Sequence, residues 1–147
     1  MFEPLEYAVL ARQLVIGSLV ARIDGHVASD ECRLRAALGR AYYALYLSIR
    51  GEIARRHNVP VHWITHGALH TFLRHSKAGR DVQALGHELR RLYALRQQAD
   101  YEVVPASEWA RKLADATFVE FMTRQAMSSV STLERLDFAP VAELLRR

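Results

Sequence analysis

The stretch "RAALGRAYYALYLSIR", residues 35–50, decides how the chain folds. Its apolar positions recur every three to four residues, and the stripe continues at both ends through Leu34, Leu38, Ala41, Leu45, Ile49 and Ile53. That repeat is the signature of a helix with one buried face. Ser29 or Asp30 supplies an N-cap oxygen for the free N–H groups of the first turn. Asn58-Val59-Pro60 closes the helix, because the residue before a proline is pushed out of the α region. A helix is therefore expected over 29–57, with Tyr42, Leu45, Tyr46 and Ile49 facing the core.

The rest of the chain reads in the same way. Pro4 opens a helix over 4–22 that carries Tyr7, Leu10, Leu14 and Ala21 on one face and stops before Asp24-Gly25. A short helix follows Thr65 to about Ser76, and "SKAGR" turns the chain. The next helix spans about 80–99, with Val82, Leu85, Leu89 and Leu92 as its stripe. After "YEVVPAS" a long helix starts at Ser107 and runs to about Leu136, with Ala110, Ala114, Phe118 and Phe121 inward. A stub over Pro140–Leu145 completes the chain. No segment alternates as a strand does, and "YEVV" is too short to build a sheet. The expected fold is all-α: one domain over residues 1–147, an up-and-down bundle of four to five helices.

Bulk properties narrow the function classes. Of the 147 residues, 50% are hydrophobic and 24% charged, the balance of a globular domain. The longest apolar runs, such as "LVIGSLVA" (14–21), fall far short of the roughly 20 residues that span a bilayer. "MFEPLEYAVL" lacks the basic n-region and cleavage site of a signal peptide. The single cysteine, Cys32, cannot form an internal disulfide and reads as a packing residue, which fits a reducing cytoplasm. The net charge is +4, and eighteen of the twenty cationic side chains are arginine. Arginine suits phosphate partners such as RNA. A bias toward arginine codons explains the same excess, so composition selects no partner.

One position breaks the pattern. In "LYALRQQADY" (92–101) the 3, 4, 3, 4 rhythm through Leu92 next reaches Arg96, with Asp100 one turn beyond. A guanidinium stays charged at any ordinary pH, and burying it alone is costly. Either the helix leaves the core here or the charge serves a purpose. Arg40 and Tyr43, three apart beside the core-facing tyrosines, can flank a polar groove with Arg96.

Other constellations lead nowhere. His62, His66 and His70 in "HWITHGALH" sit four apart, and His75 follows, but no glutamate or cysteine completes a zinc set and His62 precedes the Thr65 cap. No metal site is expected. A nucleophile elbow is absent, and the glycines are scattered singly rather than gathered into a phosphate loop, so no cofactor is expected. Arg50 and His57 match an arginine, six residues, histidine pattern by accident in an arginine-rich chain.

Three words in order, "RAALGRAYYALY" (35–46), "THGAL" (65–69) and "LRQQADY" (95–101), give the chain its resemblance to the HEPN superfamily of small helical bundles, particularly its free-standing bacterial and archaeal members. The resemblance covers nearly the whole chain. It implies a homodimer and, in many members, a metal-independent ribonuclease whose motif is an arginine, four to six residues, then a histidine. The motif arginine maps to Arg96, which would bind the scissile phosphate while a base deprotonates the 2′-hydroxyl. The chain departs from the pattern where the histidine belongs: four residues separate Arg96 from Tyr101. An unperturbed tyrosine titrates near 10 and an aspartate near 3.9, so Asp100 and Tyr101 are both imperfect bases. The "ADY" ending is itself shared by the free-standing subgroup. The resemblance thus implies catalytic residues Arg96, Asp100 and Tyr101, with Arg40, Tyr43 and His66 binding RNA or nucleotide. It also implies a toxin with a nucleotidyltransferase antitoxin as partner. The alternative is a non-catalytic HEPN dimer that binds nucleotide, RNA or a partner protein.

Overall fold

The computed structural model describes residues 4–17, 22–23, 26–27, 29–101 and 108–147. Seven α-helices are described: α1 (Pro4–Ile16), α2 (Asp30–His57), α3 (His66–Phe72), α4 (Arg80–Tyr101), α5 (Glu108–Leu113), α6 (Ala116–Thr132) and α7 (Ala139–Leu145). Between α1 and α2 a minimal antiparallel pairing joins β1 (Arg22–Ile23) to β2 (His26–Val27), with Arg22 opposite Val27 and Ile23 opposite His26. Apart from those four residues the architecture is an all-α bundle. Among the described residues, no helix is long and apolar enough to cross a membrane.

The helix α2 is the axis of the bundle, packed against α1, α4 and α6. Its ends follow local chemistry. Ser29 Oγ accepts from the Cys32 N–H at 3.2 Å, and Asn58 closes the helix in the left-handed conformation. All six stripe residues from Leu34 to Ile53 are buried, together with Ala37, Tyr42, Ala44 and Tyr46. Each large apolar side chain removed from water stabilises the fold by about 1.5–3 kcal/mol. Cys32, expected as a packing residue, is exposed in the first turn, where its backbone rather than its thiol is used.

The sequence-based boundaries fail at two places. Helix α1 ends at Ile16, not 22, because Gly17 takes a positive φ of 70° that breaks the helix. Its buried contacts are Ala8 and Ala11, with Leu14 partly covered, while Ala21 and the Asp24-Gly25 stop lie outside the described residues. The predicted long helix over 107–136 is divided. Asp115 Oδ1 accepts from the N–H groups of Thr117 and Phe118, which caps a new helix, α6. That restart resets the phase. Val119, Met122, Thr123 and Ala126 face inward, whereas Ala114 and Phe121 are exposed and Phe118 is half-buried. Ser107 and the Ala110 side chain lie outside the described residues. With the stub as α7, this division gives seven helices among the described residues, where a bundle of four to five was expected.

Helix α3 meets α4 with no spare room. A Cβ added at Gly86 would stand 2.8 Å from Leu73 Cβ and 3.1 Å from the Leu73 carbonyl carbon. Gly86→Ala is therefore expected to cost about 1–3 kcal/mol through overpacking. The loss comes despite alanine's better helix propensity, which is worth about 1 kcal/mol. Urea unfolding checks this, and a variant as stable as the parent would show that the corner opens freely.

A candidate anion site built on an aromatic cluster

The stripe of α4 does not pass through Arg96. It continues through Leu95 and Ala99, both buried, and Arg96 sits one position round at the edge of the core. Its side chain is 20% exposed, and Nε donates to Asp100 Oδ2 at 3.1 Å. The guanidinium carbon lies 4.8 Å from the ring centre of Tyr43 and 5.6 Å from that of Tyr42. The charge is thus held by a carboxylate one turn along and by two aromatic faces, the arrangement that lowers the cost of removing a guanidinium from water. Arg35 Nη1 donates to the Ala99 carbonyl at 3.1 Å, which ties this end of α4 to the start of α2.

Tyr43 extends the pattern outward. Its ring lies 5.8 Å from that of Tyr7 on α1, and the Arg40 guanidinium stands 5.8 Å over Tyr7. Arginine, tyrosine, tyrosine, arginine therefore follow one another along a half-exposed surface from Arg40 to Arg96.

Beneath Arg96 the cluster turns inward. Thr65 Oγ1 accepts from the Ala68 N–H at 3.2 Å, so α3 starts at His66 and carries His70 on the same face one turn later. The Tyr42 hydroxyl lies between them, 2.5 Å from His66 Nδ1 and 3.4 Å from His70 Nε2. Tyr46 stacks on His66 at 3.9 Å with an 11° angle between rings, and its hydroxyl donates to the Ile64 carbonyl at 3.2 Å. Tyr93 of α4 packs on His70 at 4.9 Å.

These surroundings keep the cluster uncharged. Burial first, then the Arg96 and Arg50 charges, hold His66 below the usual histidine range. Burial, followed by Arg90, His66 and Arg74, pushes His70 down to about 4. Burial raises the Tyr42 hydroxyl well above the usual tyrosine range, and Tyr46 adds to it against the opposing pull of Arg96. The site is thus a guanidinium, braced by the Asp100 carboxylate, beside hydrogen-bonding rings, a surface suited to an anion with flat groups attached.

The sequence-predicted residues fall into two sets. Arg96 and Asp100 are an ion pair, Tyr43 lies on Arg96, and His66 shares the Tyr42 ring with Arg96, its own ring centre 5.8 Å from that of Tyr42. Arg40 joins through Tyr7. Tyr101 is 74% exposed. It is the last residue of α4, and within the single chain its side chain lies in solvent.

Sequence reasoning missed Tyr42, His70, Tyr93 and Tyr7 as site residues. The four-residue spacing of His66 and His70 was visible, but their common partner comes from another helix. His62 lies in the turn Val61–Trp63 and packs edge-on to Trp63, away from the cluster. Among the described residues, no three histidine, cysteine, aspartate or glutamate side chains are placed to hold a metal ion. Arg50 and His57 are not a pair either: Arg50 donates to the Val61 carbonyl at 3.0 and 3.2 Å.

A cavity of about 600 Å³ lies between α4 and α6 and shares no residue with this cluster. Its lining sets Asp81 and Glu88 against Arg91 and Arg135, without the aromatic faces that flank Arg96. Comparison with known proteins finds no family model, no curated protein and no solved structure that matches the chain.

Proposed function

We propose that the chain is a HEPN-like RNA-binding protein that cleaves RNA without a metal ion, as the toxin of a pair with a nucleotidyltransferase. The observation that carries this reading is the Arg96 guanidinium, laid on Tyr43 and braced by Asp100 at a half-exposed edge of the bundle. Guanidinium and aromatic faces in alternation are what a single strand of RNA asks for: phosphates meet the charge and bases meet the rings.

The proposed reaction uses the two residues that touch. Arg96 holds the scissile phosphate and stabilises the charge that builds on its oxygens. Asp100 Oδ2 accepts from Arg96, and Oδ1 is the oxygen left to accept the 2′-hydroxyl proton. The 2′-oxygen attacks phosphorus, the bond to the 5′-oxygen breaks, and that oxygen takes a proton from water. The products are a 2′,3′-cyclic phosphate and a 5′-hydroxyl. Tyr101 has no part in this scheme. A second reading, a non-catalytic dimer that binds nucleotide, RNA or a partner protein, draws support from the exposure of Tyr101 where the motif histidine would stand.

Incubating a labelled RNA panel with the protein in EDTA separates the two. Cleavage with cyclic-phosphate ends is expected. RNA bound but uncut would select the non-catalytic reading, and cleavage only with added metal would remove the proposed mechanism. A homodimer belongs to the same proposal. Its motive is the apolar face of α1, where Leu5, Val9 and Ile16 are all exposed. Sedimentation equilibrium at micromolar concentration should give twice the 16.8 kDa chain mass, and a species at the single-chain mass alone would remove the dimer.

A further inference from the structure

Tyr42 has one hydroxyl proton for two imidazole nitrogens. If both contacts are hydrogen bonds, one nitrogen accepts that proton and the other must donate to the phenol oxygen. The two histidines are therefore locked together: the state of one ring fixes the tautomer of the other.

Two observations select the same arrangement. The contact to His66 Nδ1 is 2.5 Å and that to His70 Nε2 is 3.4 Å. Hydroxyl donors make shorter bonds than ring N–H donors, so the short contact is the O–H donation and the long one the N–H donation. His70 Nδ1 is buried and has no partner. The opposite arrangement would place a proton on that nitrogen and bury an orphan N–H, the rarer defect in native structures. Tyr42 thus donates to His66 Nδ1, and His70 Nε2–H donates to Tyr42. A neutral His66 then carries its own proton on Nε2, since the bond at one ring nitrogen sets the state of the other.

We infer that His66 serves the Arg96 site as a hydrogen-bond donor, its Nε2–H offered to a bound phosphate, with Tyr42 and His70 as the positioning residues that fix its tautomer. The tautomer follows from the cluster geometry alone, whereas the phosphate role rests on the proposed RNA site. The groups around the ring agree with this role. Tyr42, Tyr46 and Arg50 face it from α2, and Tyr93 and Arg96 from α4. None is an anion that would favour a second proton. Stacking on Tyr46 restrains the ring from turning over. Arg96 and His66 together offer an anion a charged and a neutral donor, and neither is a base. That leaves proton removal to Asp100.

Long-range ¹H–¹⁵N spectra of the intact protein labelled at histidine, at pH 7, read the tautomers directly. Both His66 and His70 are expected to show a protonated Nε2 and a bare Nδ1. Tyr42→Phe should leave His66 a mixture of tautomers and weaken binding of a fluorescent decauridylate about fivefold, the loss of one hydrogen bond. Trp63→Phe, a ring change outside the cluster, should alter neither readout. A protonated Nδ1 on His66 in the parent protein would overturn the inference, as would parental binding by a folded Tyr42→Phe. Parent protein with the expected tautomers but no affinity for decauridylate would instead overturn the RNA site, and with it the donor role, while the tautomer lock stood.

Discussion

Lowering the pH from 7.5 to 4 is expected to remove about 3 kcal/mol of folding free energy through His70 alone. In the unfolded chain this histidine takes a proton near 6.5, and in the folded protein only near 4. Between those values the unfolded state binds more protons, so stability rises with pH across the window and is fully present above it. Each unit of separation is worth about 1.4 kcal/mol, about 3.5 kcal/mol in full, of which about 3 is lost by pH 4, where the folded ring is half protonated. The cause is local. His70 is 6% exposed, walled by Tyr42 and Tyr93, and faces Arg90, Arg74 and His66. His66 shifts in the same direction and adds to the slope. Glu88 works against it: burial raises its carboxyl, so acid favours its folded form, although the Ser129 hydroxyl at 2.6 Å restrains the shift. Urea unfolding at stepped pH should show the decline in the parent protein and a flatter profile in His70→Leu. Parallel profiles would mean that His70 is open to protonation in the folded state.

The same histidines mark the limit of reading this fold along one dimension. Helix α2 was legible from end to end because everything that defines it is local: the Ser29 cap, the Asn58 stop and a single uninterrupted stripe. The division at Asp115 was not. An aspartate inside "LADATFVE" serves as well on a solvated helix face as at a cap, and the tertiary packing decides between them. Phe118 and Phe121 drew the inward face of that segment toward themselves by bulk. Val119 and Met122 took it instead, because the restart at Ala116 turned the helix.

The site divides in the same manner. Arg96 and Asp100 were readable as a pair since they lie one turn apart on one helix. The anomaly of a charge on an apolar stripe singled out Arg96 for a partly mistaken reason. The stripe goes on through Leu95 and Ala99, and the charge lies against tyrosines of α2. The link from His66 and His70 to Tyr42 spans 24 and 28 residues and two helices. No periodicity reports such a contact. Tyr101 is the converse case: its place in the motif was clear, while its exposure at the end of α4 is set by the fold.

Arg96→Ala should lower RNA cleavage roughly hundredfold or more while leaving the helical content unchanged. A preorganised charge aimed at a developing oxyanion typically contributes a few kcal/mol to the transition state, and each 1.4 kcal/mol is about tenfold in rate. The same side chain contributes far less to the fold. Its ion pair with Asp100 is partly solvated, at 20% and 40% exposure, and such pairs stabilise by roughly 0–1 kcal/mol. Stacking on Tyr42 and Tyr43 adds about 0.5–1 kcal/mol. The melting temperature should therefore fall by only a few degrees. Arg96→Lys keeps the charge but loses the planar fork, and is expected to fall between the parent and the alanine variant. Asp100→Asn should impair cleavage more than RNA binding, since it removes the proton acceptor and leaves an amide oxygen for the guanidinium. Tyr101→Phe should change nothing, because its hydroxyl stands clear of the cluster. Rates on one labelled RNA in EDTA, with affinities and melting curves alongside, distinguish these outcomes. A purely structural Arg96 predicts the reverse pattern, a loss of stability with cleavage intact, and equal rates for parent and Arg96→Ala would remove this site from the mechanism.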